Sequence, residues 1–304
     1  MSESEAPWLQ LAAVLPDSDV EAAEASLSAV GAVSVTLADA EDTPVLEPGP
    51  GEMPLWPRVV VTGLFPKDSD VLALLAALSR VGAPGDWRVC AVAERAWERE
   101  WMRDFGPMRF GRRLWVVPRG APPPADAAVV VLDPGLAFGT GTHPTTAFCL
   151  EWLDGLSAFP PGLADATVVD YGCGSGILAI AAVKLGAARA VAVDNDPQAL
   201  VATTDNARAN GVAEHVAACE PADAKRTLGG GPAGFLVANI LAGPLAALAP
   251  TFADLVAPGG KIALSGILAG QQEPVCAACE PYFRMEAPAL RDGWIGLAGT
   301  RKGI

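Results

Sequence analysis

Basic residues, histidines and regularly spaced cysteines are scarce in this sequence. Its 304 residues include 21 lysines and arginines against 35 aspartates and glutamates, so the formal charge is −14. A chain with this charge repels a phosphate backbone, which argues against direct binding of nucleic acid. One CxxC pair is present, Cys276 with Cys279, and the two histidines, His143 and His215, lie elsewhere in the sequence. The spacing therefore predicts no zinc site and no other bound metal.

Charge is absent from residues 227–253, a run long enough to cross a bilayer. Glycines and prolines are scattered through this run, and they break a single long helix. We therefore expect a buried strand, a turn and a helix here, and no membrane segment. Residues 1–5 carry acidic side chains and no basic ones, which predicts that there is no secretory signal and that the protein is cytoplasmic.

The chain is long enough for two domains, at roughly 100 to 200 residues per domain. A chain of this size forms its core without disulfides. Acidic side chains are concentrated at the start, because residues 1–60 contain eleven of them and a single basic residue, Arg58. We interpret this acidic region either as a solvated surface or as a surface for a basic partner.

Strand and helix patterns alternate within the first ninety residues. Either Asp17 or Ser18 can cap the first helix, and Ser18 followed by Glu21 is a capping-box pattern. The order β-α-β-β-α-β is that of a ferredoxin-like α+β domain, a common binding module, which we place at residues 1–94. The expected strands lie at residues 8–14, 32–37, 58–64 and 87–92, and the expected helices at residues 18–30 and 68–81.

The rest of the chain is predicted as a connecting region and a second domain. Residues 95–126 are expected to form a linker helix and a connecting strand, since residues 94–105 (ERAWEREWMRDF) have a helical character. Residues 127–304 are predicted as an α/β domain, because β-rich and Ala/Leu-rich runs alternate as in a parallel sheet with helices on both faces. The expected strands lie at residues 108–117, 127–132, 167–170, 190–194, 235–239 and 261–265, and the helices at 177–185, 197–210 and 244–256.

The strongest local motif is DYGCGSG, from Asp170 to Gly176, between a predicted strand and a predicted helix. Glycines let the backbone approach a ligand closely, and a helix N-terminus favours an anionic group. Asp194 ends the next predicted strand, where a carboxylate can accept hydrogen bonds from ribose hydroxyls. The motif therefore indicates a nucleoside cofactor, and the alternative is an ordinary turn in an α/β sheet.

The glycine spacing distinguishes between two cofactors. NAD-binding folds have the pattern GxGxxG, whereas Gly172, Gly174 and Gly176 form GxGxG, with Asp170 two residues earlier. This pattern resembles the signature of S-adenosylmethionine-dependent methyltransferases, so we favour that cofactor over NAD. In this interpretation the donor's carboxylate lies near the glycine turn, Asp194 binds its ribose, and Asp170 orients the turn or the donor's amino group.

A polar strand end and a glycine-rich loop complete the candidate site. Asn239 ends an apolar strand, where its amide oxygen can orient an acceptor amine; the alternative is an Asn that caps a strand-to-helix turn. Residues 133–146 (DPGLAFGTGTHPTT) are too rich in glycine and threonine for an ordinary helix; such a loop can fold over a ligand, and the alternative is a surface turn. His143 is interpreted as a hydrogen-bonded loop residue or as a catalytic group, and no obligatory general base is predicted.

Five segments together resemble the bacterial ribosomal protein L11 methyltransferase family. The resemblance implies a class I, Rossmann-like methyltransferase domain and an N-terminal ferredoxin-like substrate-recognition domain. It also implies trimethylation of lysine side chains and of the N-terminal amine of protein L11, with S-adenosylmethionine as the methyl donor. The segments are AWEREWMRDFGPMRFGRRLWVVP from Ala96, LDPGLAFGTGTHPTT from Leu132, VVDYGCGSGILAIAAVKLGA from Val168, AVDNDPQA from Ala192 and VANILAGPLAALAP from Val237.

Carried over to this sequence, the family's donor contacts fall on Thr146, Gly172, Asp194 and Asn239, and Asn239 is also the predicted catalytic residue. Two other functions stay open at this point: methylation of another protein or a small molecule, and, in a different class, an NAD-dependent oxidoreductase. The sequence does not define the oligomeric state. The predicted cofactor-binding residues are, in full, Phe138, Gly139, Thr146, Asp170, Gly172, Gly174, Asp194 and Asn239.

Overall fold

The computed structural model divides the chain into two compact units, Met1–Glu100 and Trp101–Ile304. The predicted linker helix at residues 94–105 lies outside the described residues. The residues described are 8–41, 55–92, 106–122, 124, 126–132, 143–157 and 162–303.

Among its described residues, the first unit is an antiparallel sheet with two helices, and the predicted element order is observed. The strands run side by side in the order β2-β3-β1-β4. Alternate side chains of β1 and β3, such as Leu11 and Val61, are buried against Val20 and Leu27 of α1. The elements are β1 (Trp8–Pro16), α1 (Asp17–Ala29), β2 (Ser34–Asp39), β3 (Arg58–Pro66), α2 (Val71–Arg80) and β4 (Arg88–Val92).

The capping box predicted for α1 is wrong. The N-cap is Pro16, with φ −67°, and it makes no side-chain cap bond; within the first turn, the Asp17 carboxylate accepts from the backbone amide of Ser18 at 2.8 Å. Ser18 therefore lies inside the first turn, and its hydroxyl donates instead to Asp19, at 3.4 Å. By contrast, α2 has a side-chain cap, because Asp70 accepts a hydrogen bond from the backbone amide of Ala73 at 3.1 Å.

The second unit contains a large, mostly parallel sheet, as predicted. Its order is β10-β9-β8-β11-β12-β15-β13, and β14 pairs with β15. Strand β15 is antiparallel to its neighbours, whereas β8 to β12 pair in parallel. The elements are β5 (Met108–Phe110), β6 (Leu114–Val117), β7 (Ala128–Val131), α3 (Pro144–Ser157), β8 (Thr167–Tyr171), α4 (Ile177–Lys184), β9 (Arg189–Val193), α5 (Pro197–Ala209), β10 (Val216–Cys219), α6 (Ala224–Thr227), β11 (Ala233–Asn239), α7 (Ala242–Leu255), β12 (Val256–Leu268), α8 (Gln272–Cys279), β13 (Phe283–Met285), β14 (Ala289–Arg291) and β15 (Trp294–Arg301).

Helices cover both faces of this sheet. In β11, Val237 packs into a core shared with α3 and α4, while its neighbours Leu236 and Ala238 pack into a core shared with α7 and α8. This alternation follows from the two-residue period of a strand. The charge-free run 227–253 thus supplies the buried β11 and most of α7 rather than one long helix. No helix among the described residues combines the length and hydropathy needed to cross a membrane.

Helix α3 was not predicted, and it corrects the interpretation of the loop at residues 133–146. Thr146, expected in that loop, lies in the first turn of α3. Pro144 is the first helical residue, a position where proline loses no hydrogen bond. The carbonyl of His143 accepts from the amides of Thr146 and Ala147, both at 3.1 Å, so the helix begins directly after His143.

A buried carboxylate joins α3 to the small sheet of β5, β6 and β7. Asp154 of α3 accepts hydrogen bonds from the backbone amides of Arg112, Arg113 and Leu114, at 2.6, 3.0 and 3.0 Å. Gly111 precedes these amides with φ +72°, and a Cβ there would overlap the Asp154 carboxylate. The strands at residues 108–117, which the sequence analysis placed in a connecting region, therefore pack into the second unit.

Candidate active site

The predicted site residues that the structure describes converge where the strand order reverses. Strands β8 and β11 are neighbours in the sheet, and the chain continues from β8 towards β9 on one side and from β11 towards β12 on the other. In open parallel sheets, ligands bind outside the carboxyl ends of the strands at such a switch point. The glycine turn follows β8 and Asn239 ends β11, so the fold brings both to this point.

The glycine turn depends on residues without a side chain. Gly172, Gly174 and Gly176 have φ values of +80°, +51° and +76°, in the region that other residues rarely adopt. A Cβ on Gly172 would also overlap the side chain of Ile240. The amide of Gly172 donates to the carbonyl of Val193 at 2.7 Å, which ties the turn to β9. Helix α4 begins directly after the turn, so its N-terminus faces the switch point.

Asp194 connects the end of β9 to the glycine turn. Its Oδ2 accepts from the amide of Gly174 at 2.9 Å, and its Oδ1 accepts from the amide of Asp196 at 3.0 Å. Asp194 is half-buried. Because each carboxylate oxygen can accept more than one hydrogen bond, both retain capacity for ribose hydroxyls. The structure thus places Asp194 where the sequence predicts it, and shows in addition that it holds the turn.

Asp170 lies in β8, two residues before Gly172, and its exposed fraction is 0%. Its Oδ2 accepts from the amide of Ala179 at 3.0 Å, and its Oδ1 has no hydrogen-bond partner among the described residues. Burial raises the pKa of Asp170 to about 7; the amide of Ala179 opposes this rise and the nearby charge of Asp194 adds to it. The described contacts of Asp170 therefore hold the first turns of α4 in place.

Asn239 and Thr146 meet although they are 93 residues apart. The Asn239 Nδ2 donates to the Thr146 hydroxyl at 3.1 Å. Thr146 is buried and Asn239 is half-buried. Asn239 lies on the α3 side of β11 because it is two residues after Val237, which packs against that helix. This bond fixes the amide plane, and among the described residues the Asn239 Oδ1 has no hydrogen-bond partner.

His143 has the contacts of a hydrogen-bonded residue. Its Nδ1 lies 2.7 Å from the Thr145 hydroxyl and 3.4 Å from the Thr145 amide, so the ring caps the start of α3. The ring packs edge-on against Trp294, with centroids 4.7 Å apart and planes at 74°. Partial burial lowers the pKa of His143, which favours the neutral imidazole. Phe138 and Gly139, the other predicted loop positions, lie outside the described residues.

Sequence reasoning missed a groove between α3 and the β14–β15 hairpin. Glu151 of α3 and Arg291 of β14 form a two-pronged ion pair across it, with N–O distances of 3.1 and 2.8 Å. These residues are 140 positions apart, so no local pattern pairs them. Pro144 after a glycine-rich loop was the available signal for α3, since proline favours the first position of a helix.

The larger of two cavities in the second unit lies away from the predicted site residues. A cavity of about 790 Å³ lies beside β13 and α8, lined in part by Phe283, Arg284 and Lys302, on elements that carry none of the predicted site residues. The groove beside α3 has a volume of about 330 Å³. Within the described part of the chain, no three His, Cys, Asp or Glu side chains are grouped so that they could hold a metal ion.

The site residues fit S-adenosylmethionine. The glycine turn offers open backbone and a helix N-terminus for a carboxylate, and Asp194 offers acceptors for a ribose. A side chain on Gly172 would occupy the space between the glycine turn and the side chain of Ile240. The switch point therefore offers backbone amides for the donor's carboxylate and a carboxylate for its ribose hydroxyls.

Comparisons with known proteins agree with this geometry. Residues 7–302 match the family model described as "Ribosomal protein L11 methyltransferase (PrmA)". A protein named ribosomal protein L11 methyltransferase from Alkalilimnicola ehrlichii is 53% identical over 301 residues, which cover 98% of this chain and 100% of that protein. Its namesake from Pseudomonas aeruginosa is 52% identical over 300 residues, covering 97% and 99%.

A solved structure supports the same assignment. The crystal structure of a ribosomal protein L11 methylase from Lactobacillus delbrueckii subsp. bulgaricus is 33% identical, has a TM-score of 0.56, and covers 66% of this chain and 100% of that one. The family match decides against the NAD-dependent oxidoreductase alternative, because it spans nearly the whole chain and describes a methyltransferase. The chain therefore belongs to the ribosomal protein L11 methyltransferase family, as a class I methyltransferase whose methyl donor is S-adenosylmethionine.

Proposed function

We propose that this chain methylates lysine side chains and the N-terminal amine of ribosomal protein L11. Family membership supports the protein substrate, and its relatives carry that substrate in their names. The observation that supports amine chemistry is the contact between Asn239 and Thr146, which fixes the Asn239 amide while its oxygen has no partner among the described residues. A carbonyl-type oxygen accepts the N–H of an amine and so orients its lone pair.

The donor side of the site acts by binding and orientation. When bound, S-adenosylmethionine supplies an electrophilic methyl group on a sulfonium. The turn at Gly172 and Gly174 and the start of α4 would hold its carboxylate, and Asp194 would hold its ribose. Thr146 would contact the donor while it fixes Asn239. Holding the two reactants in one geometry supplies much of the reduction of the barrier.

The acceptor must be a neutral amine, whereas a free lysine has a pKa of about 10.4. Desolvation lowers the pKa of an amine, so a partly dry entrance favours loss of its proton to solvent. Ile240 and the exposed Leu241 follow Asn239 and provide apolar surface at this entrance. With its proton lost, an amine held by the Asn239 oxygen would direct its nitrogen lone pair at the methyl group that the donor supplies when bound. His143 is engaged by Thr145, so we assign it no role as a base.

We assign the N-terminal unit to substrate recognition. Its element order and its sheet order β2-β3-β1-β4 support a ferredoxin-like domain, which we place at residues 1–94. Its acidic composition suits a basic, lysine-rich acceptor, and the same charges also suit a solvated surface. Residues 127–304 would carry catalysis. A ribosomal protein as acceptor is consistent with action in the cytoplasm.

Acceptor screening tests the proposal and its remaining alternative, a methyltransferase for another protein or a small molecule. The purified chain is incubated with labelled S-adenosylmethionine and the separated large-subunit ribosomal proteins, and the methyl groups are located by mass spectrometry. We expect label on lysine and N-terminal amines of L11, and about tenfold less label or lower with the Asp194→Ala variant at a donor concentration near the wild-type Kd. Donor binding with label on a different acceptor would contradict the proposed substrate.

A further inference from the structure

The groove between α3 and the β14–β15 hairpin is chemically unlike the donor side. It is lined by three aromatic side chains, Phe148, Trp152 and Trp294, and it has a volume of about 330 Å³, at the small end of the range for ligand pockets. The ion pair of Glu151 and Arg291 lies at its exposed side, where the two side chains are 38% and 49% exposed. The groove is thus apolar along its walls and charged at one side.

The groove continues to the reaction centre through Ser265. Ser265 lines the groove, and it pairs in register with Asn239 on the adjacent parallel strand. Neighbouring strands lie about 4.8 Å apart, and paired residues in a parallel sheet direct their side chains to the same face. Pro144, which also lines the groove, belongs to the same first turn of α3 as Thr146. A side chain in the groove would therefore lie next to the amide that orients the acceptor.

A glycine sets the width of the groove. Gly296 lies on β15 beneath Phe148, and a Cβ at this position would overlap the Phe148 ring. Gly296 lies outside the positive-φ region, so the requirement for glycine here is one of space. Any larger residue at Gly296 would move the Phe148 ring, which is one wall of the groove.

We propose that this groove binds the alkylammonium side chain of the acceptor residue, in its unmethylated and methylated forms. The proposal rests on the proposed function. The apolar walls suit the aliphatic stem of a lysine, and aromatic rings attract the cationic head, with quaternary ammonium groups among their best ligands. Each methyl transfer removes one N–H that Asn239 could accept, whereas the attraction to the rings remains. The groove thereby retains a partly methylated side chain for the next transfer.

One test is direct binding without turnover. The probe is n-butyltrimethylammonium, added to the full chain, and the readout is the indole N–H signals in NMR spectra, with Trp152 and Trp294 assigned by single Trp→Phe variants. We expect both signals to shift with saturation, and the remaining indole signals to stay in place. A titration that moves neither signal would overturn the proposal. Because this experiment needs no methyl transfer, its outcome is separate from that of the acceptor screen.

The second test separates acceptor binding from donor binding. Gly296→Ala should raise the KM for the acceptor protein about tenfold, leave the donor Kd within about twofold, and shift the products from trimethyl towards monomethyl. Gly270→Ala is the matched control, because a Cβ there meets no atom within 4 Å. A folded Gly296→Ala with the wild-type acceptor KM and product distribution would contradict the proposal.

Arg291→Met provides a variant that leaves the core intact. It frees the Glu151 carboxylate from its ion pair, so a cationic acceptor should bind more tightly, with a KM lowered about two- to fivefold at low salt. The gain should fade at high ionic strength. An unchanged or raised KM at low salt would count against a cationic occupant.

Discussion

The two halves of the site are built differently. The donor side is one continuous segment, Asp170 to Gly176, tied by backbone hydrogen bonds to the next strand and to Asp194. The acceptor side is assembled from distant segments, through the bond of Asn239 with Thr146, which the family resemblance also places near the donor, and through the ion pair of Glu151 with Arg291. The donor side thus depends on backbone conformation and glycine, whereas the acceptor side depends on side-chain contacts that a single substitution can remove.

This difference leads to a functional separation. Changes on the donor side should affect both folding and donor affinity, because the turn is part of the sheet's carboxyl edge. Changes on the acceptor side should affect turnover and acceptor KM while donor affinity is retained. The variants below test that separation, beginning with the largest expected effect.

Gly172→Ala should be the most damaging single change on the donor side. It places a Cβ at φ +80° and against Ile240, so left-handed strain and overpacking add to a loss of about 2 to 5 kcal/mol in the free energy of unfolding. Donor affinity should fall with it. Urea unfolding and calorimetric donor titration measure the two effects. Gly211→Ala is the control, because Gly211 has φ +67° and a Cβ there would meet no atom within 4 Å. This variant should lose only the part of the free energy of unfolding that comes from left-handed strain.

Asp170 should make stability depend on pH. Its folded pKa is about 7, against about 3.9 in an unfolded chain, so the folded state binds one extra proton between these values. Its contribution to the free energy of unfolding therefore falls as pH rises from about 4 to about 7, by at most about 4 kcal/mol, and is constant above. Asp170→Asn keeps an acceptor for Ala179 and should remove this slope in urea unfolding. Parallel curves for wild type and variant would refute the pKa shift.

Asp194→Ala should weaken donor binding by about 1.5 to 3 kcal/mol, the scale of a charged hydrogen bond. The variant also loses the acceptors for the amides of Gly174 and Asp196, so part of the loss comes from the turn itself. Calorimetric titration measures the affinity. Asp205→Ala, an exposed acid paired with Arg208, is the control and should bind the donor like the wild type. An unchanged isotherm for Asp194→Ala would remove this residue from the donor site.

The sequence predicts the donor side well because its pattern is local. The strand that ends at Tyr171 and helix α4 fall within one residue of their expected bounds, and the glycine turn lies between them. Helix α3 was missed because its first turn, which includes Thr145 and Thr146, continues the composition of the Gly- and Thr-rich loop before it. The groove could not be predicted, since Glu151 and Arg291 meet only through the packing of α3 on the sheet.

Asn239→Ala should show the smallest loss of binding and the clearest loss of turnover. The variant removes the amide oxygen that orients the acceptor, and it removes the N–H group that donates a hydrogen bond to the Thr146 hydroxyl. It leaves Asp194 and the glycine turn in place. We expect kcat to fall about tenfold or more, equivalent to about 1.4 kcal/mol of transition-state stabilisation, with the donor Kd nearly unchanged. Thr146→Ser, which keeps the hydroxyl, is the control and should retain most of the wild-type kcat. Equal losses of donor affinity and kcat in Asn239→Ala would place Asn239 on the donor side, and the separation of the two halves would then not hold.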